Sequence, residues 1–232
     1  MQLYQFNVAK LFRRNNKLNV LLFTPSYKRP YMLRQCILNA KNQSYANFTH
    51  SISIMYDDVS EIANYESLFD DILDDRFIIQ YNKNSSTHKN AMTILSECTS
   101  PYDIYIKIDD DDIYKKDYLE TIVEYFETNE CDVLSSKVGY QLNNYFLSKG
   151  NYQSLGGDFP NNNYLMANSF AFSHKAFQIL LDIKDNHSPE DLQWRTAWSA
   201  CGLKDDNVDN SNNLIWHIHG KNISVADWFR IS

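Results

Sequence analysis

Apolar positions recur in short, closely spaced blocks through the first half of the chain. LNVLLF (Leu18–Phe23), SISIMY (Ser51–Tyr56), FIIQY (Phe77–Tyr81) and IYIKI (Ile104–Ile108) combine β-branched and aromatic residues, the pattern of buried strands. Between them, apolar residues return at three- and four-residue intervals over Tyr31–Asn42, Glu61–Leu73 and Thr87–Cys98, which predicts helices. Strand and helix in alternation predict βαβ units and a mainly parallel sheet. A helix over Lys116–Thr128 follows. The pattern then loosens: VLSSKVGY (Val133–Tyr140) and NYLMANSFAF (Asn163–Phe172) read as antiparallel strands, and helices are expected over His174–Ile183 and Pro189–Ala200. The fold class expected is α/β: an open, mainly parallel twisted sheet with flanking helices and a smaller antiparallel portion.

With 232 residues and no linker rich in Pro, Gly or Ser, the chain reads as a single domain over 1–232, its second half forming the other wall of a cleft. The net charge of -7 argues against a nucleic-acid partner, which requires a basic face. Cys36, Cys98, Cys131 and Cys201 are far apart, so neither a zinc site nor a disulfide framework is indicated, and free thiols in a reducing cytosol are expected. No apolar run approaches the roughly 20 residues that span a bilayer. Lys10, Arg13, Arg14 and Lys17 surround Val8, Leu11 and Phe12, a composition open to two readings: a capping helix, or a basic segment touching an anionic membrane surface.

The most informative stretch is IYIKIDDDD, where Asp109, Asp110, Asp111 and Asp112 leave the carboxyl end of a buried strand. That is the edge of an open α/β sheet where ligands bind. Four adjacent carboxylates raise one another's pKa values unless a cation or hydrogen-bond donors stabilise them, and a divalent metal is the simplest candidate. A solvated turn or a helix cap is the competing reading. An EF-hand is excluded, because Ile113 and Tyr114 fall where that loop needs an oxygen ligand and a glycine.

Three further segments end at the same edge. FTPSYKRP (Phe23–Pro30) offers backbone amides and Tyr27 to flank a planar base, with Lys28 and Arg29 to face phosphate. In MYDDVSE (Met55–Glu61), Asp58 is either an acceptor for a nucleobase N–H or a helix cap. YNKNSSTHKNA (Tyr81–Ala91) places Lys89 and Asn90 on an early helical turn, where a positive charge meets a diphosphate; a plain surface lysine is the alternative.

Taken in order, PSYKRP, QSYANF, YDDVS, NSSTHKN and IDDDD resemble the nucleotide-sugar half of GT-A glycosyltransferases of family 2, and SPEDLQWR (Ser188–Arg195) and WHIHGKNIS (Trp216–Ser224) are similar to that family's later motifs. The resemblance spans about Val20 to Ser224. It implies a GT-A (Rossmann-like) fold, with a nucleotide-sugar-binding half over about 18–115 and an acceptor and catalytic half over about 116–232. Pro25, Ser26, Tyr27 and Arg29 would line the nucleotide, Asp58 would bind a uracil-type base, Asp109 or Asp110 the ribose, and Lys89 and Asn90 the diphosphate. Asp111 and His219 would hold Mn²⁺ or Mg²⁺. Asp191 would be the catalytic base, with Glu190 positioning the acceptor. Val59 stands where the family usually has Gly, Ser85 or Ser86 replaces a loop Gly, and Lys89 replaces an Arg, which turns a forked contact into a point charge.

The expected activity is inverting, metal-dependent transfer of a sugar from a nucleotide donor, UDP-linked by the family pattern, to a saccharide or lipid-linked acceptor. The expected setting is bacterial surface polysaccharide synthesis, in the cytoplasm or at the inner face of the membrane. An inactive transferase-like binding module and a metal-dependent nucleotidyltransferase are the alternatives; the second conflicts with the absence of glycine from FTPSYKRP.

Overall fold

A computed structural model describes residues 17–83, 86–98, 101–136, 140–143, 146–149, 170–184, 190–210 and 212–218. The first half is the expected alternation: β1 (Val20–Tyr27), α1 (Pro30–Lys41), β2 (Phe48–Tyr56), α2 (Ser60–Phe69), β3 (Phe77–Lys83), α3 (Thr87–Ser96) and β4 (Ile104–Lys107). A short β5 (Ile113–Tyr114) and α4 (Tyr118–Thr128) follow the acidic run. The remainder is β6 (Val133–Ser136), β7 (Tyr140–Asn143), β8 (Phe146–Lys149), β9 (Phe170–Ser173), α5 (His174–Leu180), α6 (Glu190–Ala200), β10 (Asp205–Val208) and β11 (Leu214–Ile218). The N-terminal basic segment through residue 16 lies outside the described residues.

Seven strands form one sheet in the order β10-β6-β9-β4-β1-β2-β3. β1 through β4 are mutually parallel, β9 runs antiparallel between β4 and β6, and β10 pairs parallel with β6. A second sheet, β5-β11-β7-β8, has two antiparallel pairs and one parallel pair, between β11 and β7. In the main sheet β2 and β3 extend to one side of β1 and β4 to the other. The gap above the carboxyl ends of β1 and β4 is therefore the point at which strand order reverses, where α/β sheets open a binding crevice.

The period-two alternation of the strands divides the core between two faces. Val20 and Leu22 of β1 join Leu33, Ile37, Tyr65, Phe69, Leu119 and Ile122, from α1, α2 and α4. Leu21 and Phe23 face the other way, into a layer with Ala91, Leu95, Phe177, Leu180, Trp194 and Trp198, from α3, α5 and α6. β1 is longer than its apolar pattern predicts and carries Pro25 inside the sheet. Its pairing with β4 ends at Phe23 and Lys107, so a missing N–H at position 25 breaks no bond on that side.

Gln43, from the QSYANF segment, fastens the region after the acidic run. Its Nε2 donates to the carbonyls of Tyr114 (3.3 Å) and Lys115 (2.9 Å), while its Oε1 accepts from the N–H of Leu119 in α4 (3.0 Å).

Candidate active site

At the reversal point, the chain leaving β1 meets the chain leaving β4. Ile108 N–H donates to the Phe23 carbonyl (3.1 Å), the Thr24 hydroxyl donates to the Ile108 carbonyl (2.9 Å), and Asp109 N–H donates to the Tyr114 hydroxyl (2.8 Å). The acidic turn is thus held before any side chain of it is used.

The four carboxylates then separate by environment. Asp110 is 1% exposed; its Oδ2 accepts from the Ser26 hydroxyl (2.5 Å), and Arg29 Nη2 lies 2.8 Å from its Oδ1 as an ion pair without hydrogen-bond direction. Burial pushes the Asp110 carboxyl up to about 7, against the opposing pull of Arg29. The same guanidinium donates to Asp111 Oδ2. Burial draws the Arg29 pKa down, but Asp110, Asp111, Asp109 and Asp112 together outweigh it and hold the group above its ordinary value. Asp109 Oδ1 is 3.1 Å from the ammonium of Lys107, a lysine that is itself buried at the end of β4.

Asp109, Asp111 and Asp112 each offer an oxygen, and these oxygens lie within 4.8 Å of one another. Three hard carboxylate donors grouped in this way suit Mg²⁺ or Mn²⁺. Asp112 stood in the acidic run without a role of its own in the sequence, and the structure groups it with Asp109 and Asp111.

The other sequence candidates fall into two groups. Tyr27 and Lys28 join the second motif: the Tyr27 hydroxyl donates to Asp57 Oδ2 (2.8 Å), and Lys28, in the left-handed region at φ 55, pairs with the same carboxylate. Asp58 is exposed just before α2 and accepts from the Ser60 N–H (2.8 Å) and hydroxyl (2.7 Å), bonds that lower its pKa. Lys89 is exposed on the first turn of α3, whose Ser86 cap accepts from the Lys89 N–H.

Ser26, Asp110 and Asn90, by contrast, are not presented to the crevice. Ser26 donates to Asp110, Asp110 also pairs with Arg29, and Arg29 is turned to the carboxylates instead of standing clear for phosphate. Asn90 is 1% exposed and is occupied by Ser53: its Oδ1 accepts from the hydroxyl, and its Nδ2 donates to the carbonyl (3.0 Å). Its role is to fix α3 on β2.

Glu190 and Asp191 begin α6. Four residues further, Trp194 is fully buried against Phe23 and Phe172, each with ring centroids 6.1 Å away, and its Nε1 donates to His88 Nδ1 of α3 (3.2 Å). These contacts pack α6 against β1, β9 and α3. His219 lies outside the described residues, as do Ser85 and residues 150–169 of the expected acceptor and catalytic half. Lys107 and His88 were missed; a lysine inside the apolar IYIKI run was the available signal for the first.

A doubly wound sheet with carboxylates at its strand-order reversal is the GT-A architecture of glycosyltransferases. The chain belongs to Glycosyl transferase family 2, which matches residues 22–185. Its fold is similar to that of S. aureus TarS 1-349 in complex with UDP-GlcNAc (TM-score 0.65, 12% identity, 88% of this chain and 60% of that one). It is also similar to mannosyltransferase PcManGT from Pyrobaculum calidifontis in complex with GDP-Man and Mn2+ (TM-score 0.62, 10% identity, 92% of this chain and 60% of that one). The chain thus spans about three fifths of each of these structures. No curated protein matches it by sequence. Among the described residues, no helix is long and apolar enough to cross a membrane.

Proposed function

We propose that the protein moves a sugar from a nucleoside diphosphate carrier to a saccharide or lipid-linked saccharide, with inversion at the anomeric carbon. The observation that carries this reading is the grouping of Asp109, Asp111 and Asp112 at the β1/β4 reversal point. The nucleotide sugars in the similar structures, GDP-Man in one and UDP-GlcNAc in the other, favour a donor of this class.

In this reading Asp58 and Tyr27 receive the base, with UDP as the expected carrier, and Asp109 receives the ribose, since Asp110 is interior. Asp111, with Asp109, Asp112 and His219, would hold Mn²⁺ or Mg²⁺. Such an ion neutralises charge on the departing phosphate oxygens. Lys89 faces the diphosphate as a point charge. Asp191 takes the proton of the acceptor hydroxyl as it attacks, a contribution of roughly 10²- to 10⁴-fold, and Glu190 orients the acceptor. With Asp191 as the one base in this reading, transfer is a single displacement, hence inversion. The biological setting that suits this chemistry is surface polysaccharide assembly at the inner face of a bacterial membrane, with the basic N-terminal segment as its contact.

The test is a panel of nucleotide sugars incubated with acceptor and Mn²⁺, followed by release of nucleoside diphosphate. Transfer should stop in EDTA. Release of pyrophosphate, or full turnover in chelator, would overturn the reading.

A further inference from the structure

The first turn of α3 is fastened on both sides of its exposed lysine. Asn90 ties it to β2 through Ser53, and His88, 4% exposed, ties it to α6 through Trp194. An indole N–H only donates, so His88 Nδ1 is the acceptor and the neutral ring carries its proton on Nε2. Trp194 also meets aromatic rings, Phe23 and Phe172 at 6.1 Å and Trp198 at 6.0 Å between centroids, within an apolar cluster. His88 is the acceptor that this buried N–H finds in an otherwise apolar setting.

α6 has a second polar anchor one turn on, where Trp198 Nε1 donates to the Ala176 carbonyl of α5 (3.0 Å). Two anchors four residues apart fix the helix in rotation as well as in position. Glu190 and Asp191 precede Trp194 by four and three residues, so all three positions share one side of the helix. The rotational setting of Trp194 therefore sets the helix positions 190 and 191.

We infer that His88 is a positioning residue: by accepting from Trp194 it sets α6, and with it Glu190 and Asp191, against the half of the site that carries Lys89. The inference rests on the proposed role of Asp191. α3 itself stays seated without His88, because Asn90 remains bonded to Ser53. The loss of His88 should therefore misplace the base without disturbing the donor.

Three variants test this. His88→Leu removes the acceptor, His88→Asn places an amide oxygen near the position of Nδ1, and Trp194→Phe keeps an aromatic ring and removes the donor. His88→Leu should lower kcat about tenfold or more while the Kd for nucleoside diphosphate with Mn²⁺ changes less than about twofold. His88→Asn should restore kcat to within about threefold of the parent, and Trp194→Phe added to His88→Leu should cost nothing further, as expected for one shared interaction. Should His88→Leu not fold, Trp194→Phe alone should show the same split.

Equal impairment of His88→Asn and His88→Leu, unchanged kcat in His88→Leu, or nucleotide affinity falling in step with kcat would overturn the inference. An absence of transfer by the parent protein would count against the proposed function instead. Amide exchange over residues 190–194, faster in His88→Leu but not in His88→Asn, would then still decide what His88 holds.

Discussion

Arg29 and Asp110 form an ion pair at the reversal point of the sheet, Nη2 to Oδ1 at 2.8 Å, with the carboxylate wholly inside the protein. Removing the cation from a buried pair leaves an uncompensated charge, which costs about 3–5 kcal/mol. Arg29→Met is expected to lose stability on that scale in urea unfolding at pH 8. Asp110 limits the loss at lower pH. A carboxyl whose folded pKa is raised from 3.8 to about 7 binds its proton more tightly in the native state, so its contribution to stability falls as pH rises through that window. At pH 5 the group is mostly neutral and has less need of Arg29. Arg29→Met should therefore be milder at pH 5 than at pH 8, and Asp110→Asn in the same background should recover most of the difference. A loss of equal size at both pH values would mean that the pair is not what Arg29 contributes.

This pair also marks where sequence reading stops. The strands from β1 to β4 and the helices between them follow from period-two and 3.6-residue patterns, which are local, and the acidic edge follows from the end of β4. Which of four consecutive carboxylates turn inward is not local. Asp110 and Asp112 are both buried, and Asp110 is met by the hydroxyl of Ser26, 84 residues away, through the register of β1 on β4. The same holds for His88 and Trp194, 106 residues apart. For Asn90, the early helical turn suggested a ligand, and what sequence could not give is its bond to Ser53, 37 residues away. β10 went unread because DDNV has no alternation; it is recruited at the edge by β6.

Asp111 shares a carboxylate cluster with Asp109 and Asp112 and also accepts from Arg29. Asp111→Ala should abolish the metal-dependent part of nucleotide binding and leave a weak, metal-independent remainder. Isothermal titration with a uridine diphosphate, with and without Mn²⁺, separates the two. Binding that still strengthens on adding Mn²⁺ would remove Asp111 from the ligand set.

Asp191 stands on the first turn of α6, where a carboxylate is favoured by the helix dipole whatever its chemistry. Capping and catalysis are separable by kinetics. Asp191→Asn keeps the shape and should lower kcat about 10²-fold or more, with nucleotide affinity nearly unchanged. Steady-state turnover alongside equilibrium titration of the donor checks this, and an unaltered kcat would leave Asp191 with a structural role alone.

His50 is fully buried on β2, with Nε2 2.9 Å from the Thr24 hydroxyl. Thr24 gives its own proton to the Ile108 carbonyl at the base of the acidic turn, so His50 donates from Nε2 and is neutral. Burial lowers its pKa from 6.5 to about 3. The unfolded chain therefore takes up a proton that the folded one refuses. The stability that neutral His50 brings is complete above pH 6.5 and is lost as pH falls toward about 3, by about 1.4 kcal/mol for each unit. His50→Gln, which keeps a donor for Thr24 and cannot titrate, should lose less stability than the parent between pH 7 and pH 4 in urea unfolding. If both proteins weaken in parallel over that range, protonation of His50 is not what loosens the support beneath Asp109 in acid.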